Sequence, residues 1–171
     1  MELSTIWDPV IKVILAMILG GIMGMERELA QKPAGLRTHM LVAGAASFLV
    51  ILGEFMVYEM VRNMLNNYGP ESAFGGNIRA DPIRIIQAII VGISFLGAGT
   101  IIFNDKNTVE GLTTAASILF ASAIGIGVAL QQYLLATVLT ILAIIILYGL
   151  GFIEKFIIRF RKRIYEGQGD P

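Results

Sequence analysis

The sequence contains no cysteine and a single histidine, His39. Disulfide bonds and thiolate metal sites are therefore excluded, and a site that needs several histidines cannot be built. Charged residues are also scarce, at 15% of the chain, against about 25% in soluble domains. The formal net charge is zero. Proteins that bind nucleic acid usually carry an excess of positive charge, so nucleic acid is not expected as a partner.

Apolar residues are abundant, at 56% of the 171 residues, and the mean hydropathy is +0.74. A soluble domain needs more polar surface than this composition supplies, so we expect the chain to be embedded in a lipid bilayer. The first residues include Glu2 and Asp8 rather than the basic region of a signal peptide. We therefore expect the first apolar run to be a retained helix.

Five apolar runs, each near the ~20 residues that cross a bilayer core, predict an all-α polytopic membrane protein with a bundle of five transmembrane helices. They are Val10–Met25, Met40–Val61, Ile85–Phe103, Leu112–Leu130 and Leu134–Ile153. The alternative has four spans, with the last run outside the membrane, but that run carries no charge. We predict a membrane domain at residues 1–153 and a basic cytoplasmic tail at residues 154–171.

Basic residues are distributed unevenly across this predicted bundle. With the N-terminus outside, the inner loops and tail hold nine of the 13 lysines and arginines, and the outer segments hold four. Cytoplasmic loops carry the excess of basic residues, which predicts an outside N-terminus and a cytoplasmic C-terminus. Asp81-Pro82 predicts the start of the third helix, and Asn107-x-x-Glu110 resembles a capping box before the fourth.

Small residues recur at every fourth position in several runs, a spacing that lets membrane helices pack closely. The fourth run has a five-step ladder from Thr113 to Ala129, and the alternative for its start is a narrow polar path along Thr113 and Ser117. The residues predicted to serve helix packing are Gly20, Gly24, Gly92, Gly97, Gly99, Ser117, Ala121 and Gly125.

The third run carries a stripe at helical spacing, made of Arg84, Gln87, Val91, Ser94 and Ala98. We expect this stripe to point into the bundle, because polar groups at membrane depth rarely face lipid. The alternative for the arginine is that its long side chain only reaches the membrane interface.

Two charged motifs flank the turn of the first predicted hairpin: Glu26-Arg27-Glu28 and Arg37-Thr38-His39. We expect them to lie close together. We predict that Glu26 and Arg37 form an ion pair that fixes the hairpin. The alternative is a cytoplasmic-side site for a ligand or partner, in which His39 is sensitive to pH.

Carboxylates near the predicted helix ends are scattered over both sides of the membrane, at Glu26, Glu28, Glu54, Glu59 and Asp81. Mg²⁺ prefers hard oxygen ligands and keeps several waters, so this pattern leaves open a Mg²⁺ site with mostly water ligands. The sequence shows no pairing of a nucleophile with a base, no phosphate loop and no haem ligand pair. We therefore expect no enzymatic activity and no cofactor.

Three groups of motifs follow one another along the chain: Gly24–Glu28 with Lys32–Val42, Asp81–Arg84 with Gly92–Ile101, and Gly111–Ser117. Together they resemble the signatures of the MgtC/SapB family, over a stretch from Val10 to Leu150. The resemblance implies a multi-pass protein of the prokaryotic cytoplasmic (inner) membrane, associated with growth in low magnesium and, in pathogens, with survival inside macrophages.

The founding members of that family resemble regulators, and the resemblance implies a link to inhibition of the F-type ATP synthase. Gly35, Gly97 and Gly99 are among the positions that match the family motifs. With Ser94 added from the stripe, the functional candidates are Glu26, Arg27, Arg37, Thr38, His39, Asp81, Arg84, Ser94, Thr113 and Thr114.

Two features depart from the family pattern. Many members carry a C-terminal domain resembling an ACT fold, which this sequence lacks, so we expect its sensing role to be missing or supplied in trans. Some members have Asn at the position of Thr113, and a Trp is common near Leu119-Phe120. A partner contact made by that Asn side chain would be altered here.

Three functions are compatible with these patterns. The favoured one is a membrane-embedded regulator that binds another membrane complex, and the second is a small Mg²⁺ or proton transporter or channel. The third is a structural homo-oligomer that packs through Ala16, Gly20 and Gly24.

Overall fold

The computed structural model describes residues 3–68, 83–104 and 108–149. These residues form five α-helices, which confirms the predicted all-α class: α1 (Leu3–Leu29), α2 (Leu36–Tyr68), α3 (Ile83–Ala98), α4 (Leu112–Ala129) and α5 (Tyr133–Ile144). A short antiparallel hairpin of β1 (Ile102–Asn104) and β2 (Thr108–Glu110) joins α3 to α4, and a π-helical turn, Ile145–Gly149, continues α5. The predicted basic tail lies outside the described residues.

Three of the helices are long and apolar enough to cross a membrane, over Trp7–Leu29, Leu36–Asn67 and Leu112–Ala129. The 33 residues of α2 extend for about 50 Å at ~1.5 Å per residue, well beyond a hydrocarbon core of about 30 Å. The other two helices are apolar but shorter, with 16 residues in α3 and 12 in α5. Together these helices make a multi-pass membrane protein.

The connection between α3 and α4 differs from the sequence prediction. The third run was expected to continue to Phe103, but α3 ends at Ala98 and Phe103 pairs with Val109 in the hairpin. β-Branched and aromatic residues favour this extended pairing, whereas Gly97 and Gly99 weaken the end of the helix.

The capping box predicted before α4 is wrong. Glu110 lies in β2, and the N-cap of α4 is Gly111, with a φ of 91° and no side-chain hydrogen bond. This left-handed conformation favours glycine, and a Cβ here would also collide with the carbonyl oxygen of Thr100. The predicted start of α3 at Asp81-Pro82 lies outside the described residues.

Helix α4 lies at the centre of the bundle and packs against the other four helices. Its buried face includes Ile118, Ala121, Ile124 and Val128, which belong to the main apolar core together with Met23 of α1. Helix α1 is antiparallel to α2, since Gly20 lies beside Ala43 and Gly24 beside Leu36. Helix α4 is parallel to α2, since Ser117 lies beside His39 and Gly125 beside Ala43.

Three helices converge at Ala43. A Cβ on Gly20 of α1 would lie 2.6 Å from the Cβ of Ala43 and 2.7 Å from the carbonyl oxygen of His39. A Cβ on Gly125 of α4 would collide with the carbonyl oxygen of Ala43 from the other side. Backbones can approach this closely only where the side chain is absent.

The remaining residues predicted for packing vary in their surroundings. Gly24 meets His39, with 2.8 Å between an added Cβ and the histidine Cβ, and Gly97 meets Ala115 at 3.5 Å. Ser117 and Ala121 are buried on α4. Gly99 lies in the turn after α3, where an added Cβ would meet only backbone oxygens of its own chain segment, whereas one on Gly92 would meet nothing within 4 Å.

We expect Gly125→Ala to destabilise the bundle by about 1–3 kcal/mol, the usual effect of overpacking. The matched control is Gly127→Ala in the same helix, whose Cβ would lie at an ordinary 3.5 Å from the Cβ of Ala136. Thermal unfolding in mild detergent should show a lower midpoint for the first variant only. Equal midpoints for the two variants would contradict the close approach at Ala43.

Candidate functional site

A group of buried polar residues lies at the end of the bundle where α1 ends and where α2 and α4 begin. We call Glu26, Arg27, His39, Thr114 and Ser117 the polar cluster. His39 is 0% exposed, and Arg27, Thr114 and Ser117 are also buried. Because lipid cannot hydrogen-bond to such groups, they must find their partners inside the protein.

The turn between α1 and α2 is fixed by Glu28. One oxygen of its carboxylate, Oε2, accepts a hydrogen bond from the backbone N–H of Leu36, at 3.0 Å, in the first turn of α2. A carboxylate at this position satisfies a free N–H group and interacts favourably with the positive end of the helix dipole. A Cβ on Gly35 would overlap the same carboxylate, which explains the glycine. Glu28 was not among the predicted site residues, although its place in the charged motif between the first two predicted helices was a usable signal.

His39 connects α2 to α4. Its Nδ1 lies 2.8 Å from the carbonyl oxygen of Gly35, and its Nε2 lies 3.0 Å from the hydroxyl oxygen of Ser117. That hydroxyl is also 2.8 Å from the carbonyl oxygen of Thr114. Ser117 was predicted only as a packing residue, so its role as the partner of the histidine was missed.

The donors and acceptors around His39 allow two arrangements. A carbonyl oxygen only accepts, so Nδ1 carries a hydrogen and donates it to Gly35. If the ring is neutral, Nε2 accepts the single hydroxyl hydrogen of Ser117. If the ring is charged, Nε2 donates to Ser117, and the hydroxyl hydrogen goes to Thr114 instead. The direction of the serine hydroxyl is therefore coupled to the protonation state of the histidine.

Glu26 forms its ion pair with the neighbouring Arg27. The Nε of Arg27 lies 2.6 Å from Oε2 of Glu26, and a terminal guanidinium nitrogen lies 3.1 Å from Oε1. The two side chains are only 5% and 14% exposed. The predicted pair between Glu26 and Arg37 is wrong, because Arg37 is exposed and lies two positions from His39, too far around α2 to share the face that meets α1.

The other predicted functional residues are not among the buried polar groups of this cluster. Thr38 is half-buried, Thr113 is exposed, and Asp81 lies outside the described residues. Arg84 and Ser94 are exposed on α3. The prediction that the stripe of α3 points into the bundle is wrong, because α3 packs through Ile85, Ile86, Ile89 and Ile93 instead. Burying isoleucine is more favourable than burying Gln87 or Ser94.

A small apolar cavity of about 120 Å³ adjoins the polar cluster between α1, α4 and α5. Ser117 and Thr113 line one wall, and Met23, Phe120 and Leu147 line others. Within residues 3–68, 83–104 and 108–149, no group of three or more histidine or acidic side chains is placed to hold a metal ion.

The buried polar groups that were not predicted include Ser47 and Lys12. Ser47 is 0% exposed, and its hydroxyl has no hydrogen-bond partner among the residues that the structure describes. It follows His39 and Ala43 at intervals of four residues, and that spacing was a usable signal. Near the other end of the bundle, the buried Lys12 forms an ion pair of 2.7 Å with Asp8.

Comparisons with known proteins place this geometry in a family. The family model described as the MgtC family matches residues 13–156. The protein SapB of Bacillus subtilis (strain 168) is 33% identical over 74% of this chain and 50% of its own length. The protein MgtC of Brucella abortus (strain 2308) is 38% identical over 65% of this chain and 38% of its own length.

A YhiD protein of Escherichia coli (strain K12) is 35% identical over 84% of this chain and 62% of its own length. The chain therefore spans between about a third and two thirds of the length of these relatives. No solved structure is significantly similar to it.

We expect Ser117→Ala to reduce the free energy of unfolding by about 1–3 kcal/mol, because it leaves the buried Nε2 of His39 without a partner. The control is Ser94→Ala, which removes a hydroxyl from the exposed face of α3. Denaturant unfolding in detergent measures both. If the Ser117→Ala variant were as stable as the wild type, that result would argue against the hydrogen bond between Ser117 and His39.

We expect Glu26→Gln and Arg27→Gln each to destabilise the protein by about 3–5 kcal/mol, since either leaves a buried charge unpaired. The double variant should lose less free energy of unfolding than the sum of the losses in the two single variants. The matched control is Glu59→Gln, which breaks the more exposed pair with Arg62 and should change stability by only about 0–1 kcal/mol. Similar losses in all three single variants would contradict a special role for the buried pair.

Proposed function

Because the chain belongs to the MgtC family, we propose that it is a regulator embedded in the prokaryotic cytoplasmic membrane. In this proposal it supports growth in low magnesium, or ion and ATP homeostasis, by binding another membrane complex. The F-type ATP synthase is the partner implied by the family resemblance.

The names of the relatives support the link to magnesium. The name of YhiD from Escherichia coli (strain K12) includes the words magnesium transporter, and other relatives carry the family name MgtC. The present chain spans only part of these proteins, so their activity enters here as support for the proposal.

The observation that carries the proposal is the polar face on the outside of α3. Gln87 and Ser94 lie one above the other at a spacing of seven residues, and both are exposed, as is Val91 between them, at 70%. Ser94 lies about 17 Å along α3 from Ile83, at ~1.5 Å per residue, a distance that places it within a hydrocarbon core of about 30 Å. Polar side chains at this depth stabilise contacts between helices. An outward polar face therefore supports a membrane protein partner.

The second candidate is a small Mg²⁺ or proton transporter. It is favoured by the name of YhiD and by Thr113 and Ser117, which line the same cavity. However, the hydroxyl of Ser117 is within hydrogen-bond distance of His39 and of the carbonyl oxygen of Thr114, so it connects helices inside the bundle. We therefore favour the regulator, which also explains the outward polar face of α3.

The test is photo-crosslinking in native membranes. A photoreactive amino acid replaces Val91 at the centre of the polar face, and the control replaces Val138 of α5, which is 43% exposed. We expect Val91, but not Val138, to form a defined product with another membrane protein, such as a subunit of the F-type ATP synthase. The double variant Gln87→Leu with Ser94→Leu should lose that product and impair growth in low magnesium at unchanged protein level.

Two outcomes would contradict this proposal. A product that contains only two copies of this chain would favour the homo-oligomer instead. Flux of Mg²⁺ or protons into liposomes holding the purified chain, which disappears in Thr113→Ala, would favour the transporter. We expect the folded chain to give no flux above that of empty liposomes.

A further inference from the structure

An apolar groove of about 770 Å³ runs between α2 and α3, along residues 45–60 of α2 and 84–93 of α3. The two helices touch at its base, where Gly53 meets Ile85 and where Ile89 packs with Ala46 and Val50. One wall presents Leu49, Leu52 and Met56 of α2, and the other presents Ala88 and Gly92 of α3. A Cβ at Gly92 would meet nothing within 4 Å, so the space beside it is unfilled by the described residues.

The α3 wall of this groove ends in a positive charge. Among the described residues that line the groove, Arg84 is the only charged one, and its side chain is exposed. Within the described ranges, its guanidinium group forms no ion pair and no hydrogen bond. Arg84 lies at the end of the α3 wall, while the α2 wall continues about two turns further, to Met60.

From Arg84 inward along α3, the groove has about the depth of one leaflet of a bilayer. The eight residues from Arg84 to Gly92 span about 12 Å at ~1.5 Å per residue. One leaflet contributes about half of a hydrocarbon core of about 30 Å. The groove thus combines a cation at the end of its α3 wall with an apolar channel of about leaflet depth, which is the shape and polarity of a phospholipid.

We propose that this groove is a binding site for an anionic phospholipid, with the phosphate at Arg84 and one acyl chain beside Ala88 and Gly92. The guanidinium group presents several donors that match phosphate oxygens. This site is separate from the polar face of Gln87 and Ser94 and does not depend on the proposed function.

The lining of the groove favours a lipid over a helix of a second copy. Opposite Ala88 and Gly92, the wall of α2 consists of Ala46, Leu49 and Leu52, an apolar surface that suits an acyl chain. An apolar helix would fill the channel, but it would provide no acceptor for Arg84. An anionic head group provides that acceptor at the end where the cation lies.

The test is native mass spectrometry of the purified full chain in mild detergent. The probes are phosphatidylglycerol and phosphatidylcholine with identical acyl chains. We expect the wild type to retain phosphatidylglycerol about fivefold more than phosphatidylcholine, the factor that one basic residue near an anionic head group supplies. Arg84→Gln should remove this preference, whereas the control Arg37→Gln, which changes an exposed arginine away from the groove, should keep it.

A second pair of variants tests the apolar part of the groove. Gly92→Leu should abolish retention of both lipids, and Ala88→Leu should do the same if Gly92→Leu folds poorly. The matched control is Gly149→Leu, where an added Cβ also meets nothing within 4 Å but which does not line the groove. Retention unchanged by the filling variants, or a preference unchanged by Arg84→Gln, would overturn the proposal. A lipid-free dimer that dissociates in Gly92→Leu would assign the groove to a second copy.

Discussion

The close approach of three helix backbones at Ala43 is the constraint on which the rest of the bundle depends. Lipid provides no hydrophobic force between membrane helices, so they associate through close packing and internal hydrogen bonds. Gly20 of α1 and Gly125 of α4 let both helices approach the same residue of α2. A larger side chain at either position would push α1 or α4 away from α2 and lengthen the other contacts between those helices.

The hydrogen bond between His39 and Ser117 follows from that approach. It joins residues 78 positions apart, at 3.0 Å, and His39 lies about one helical turn from Ala43 on α2. Gly20 and Gly24 bring α1 close to α2, so His39 is shielded from lipid and water. Its ring nitrogens must therefore form their hydrogen bonds within the protein. The buried pair of Glu26 and Arg27 lies near the same end of the bundle, at the end of α1.

Helix α3 has a different relation to the bundle. It packs through one isoleucine face and leaves the opposite face, with Gln87 and Ser94, directed outward. On its third side it separates from α2 and leaves the groove that Arg84 lines. The four other helices are thus organised by contacts with one another, whereas α3 offers two surfaces to molecules outside the bundle. Both proposals, for a protein partner and for a lipid, concern this helix.

The sequence by itself determined the membrane setting, the five helices and the small-residue positions Gly20, Gly24 and Gly125, because hydrophobic length and four-residue spacing are local properties of a helix. The family motifs identified His39 and Glu26 as residues of interest. Pattern alone could not assign their partners, because which side chains meet depends on how the helices rotate and how close they come.

Only the tertiary structure therefore showed that Glu26 pairs with Arg27, that Ser117 bonds His39 and that the stripe of α3 faces outward. The hairpin at Ile102–Asn104 was likewise hidden within an apolar run, since such a run fits a helix or a strand equally well until its pairing partner is known.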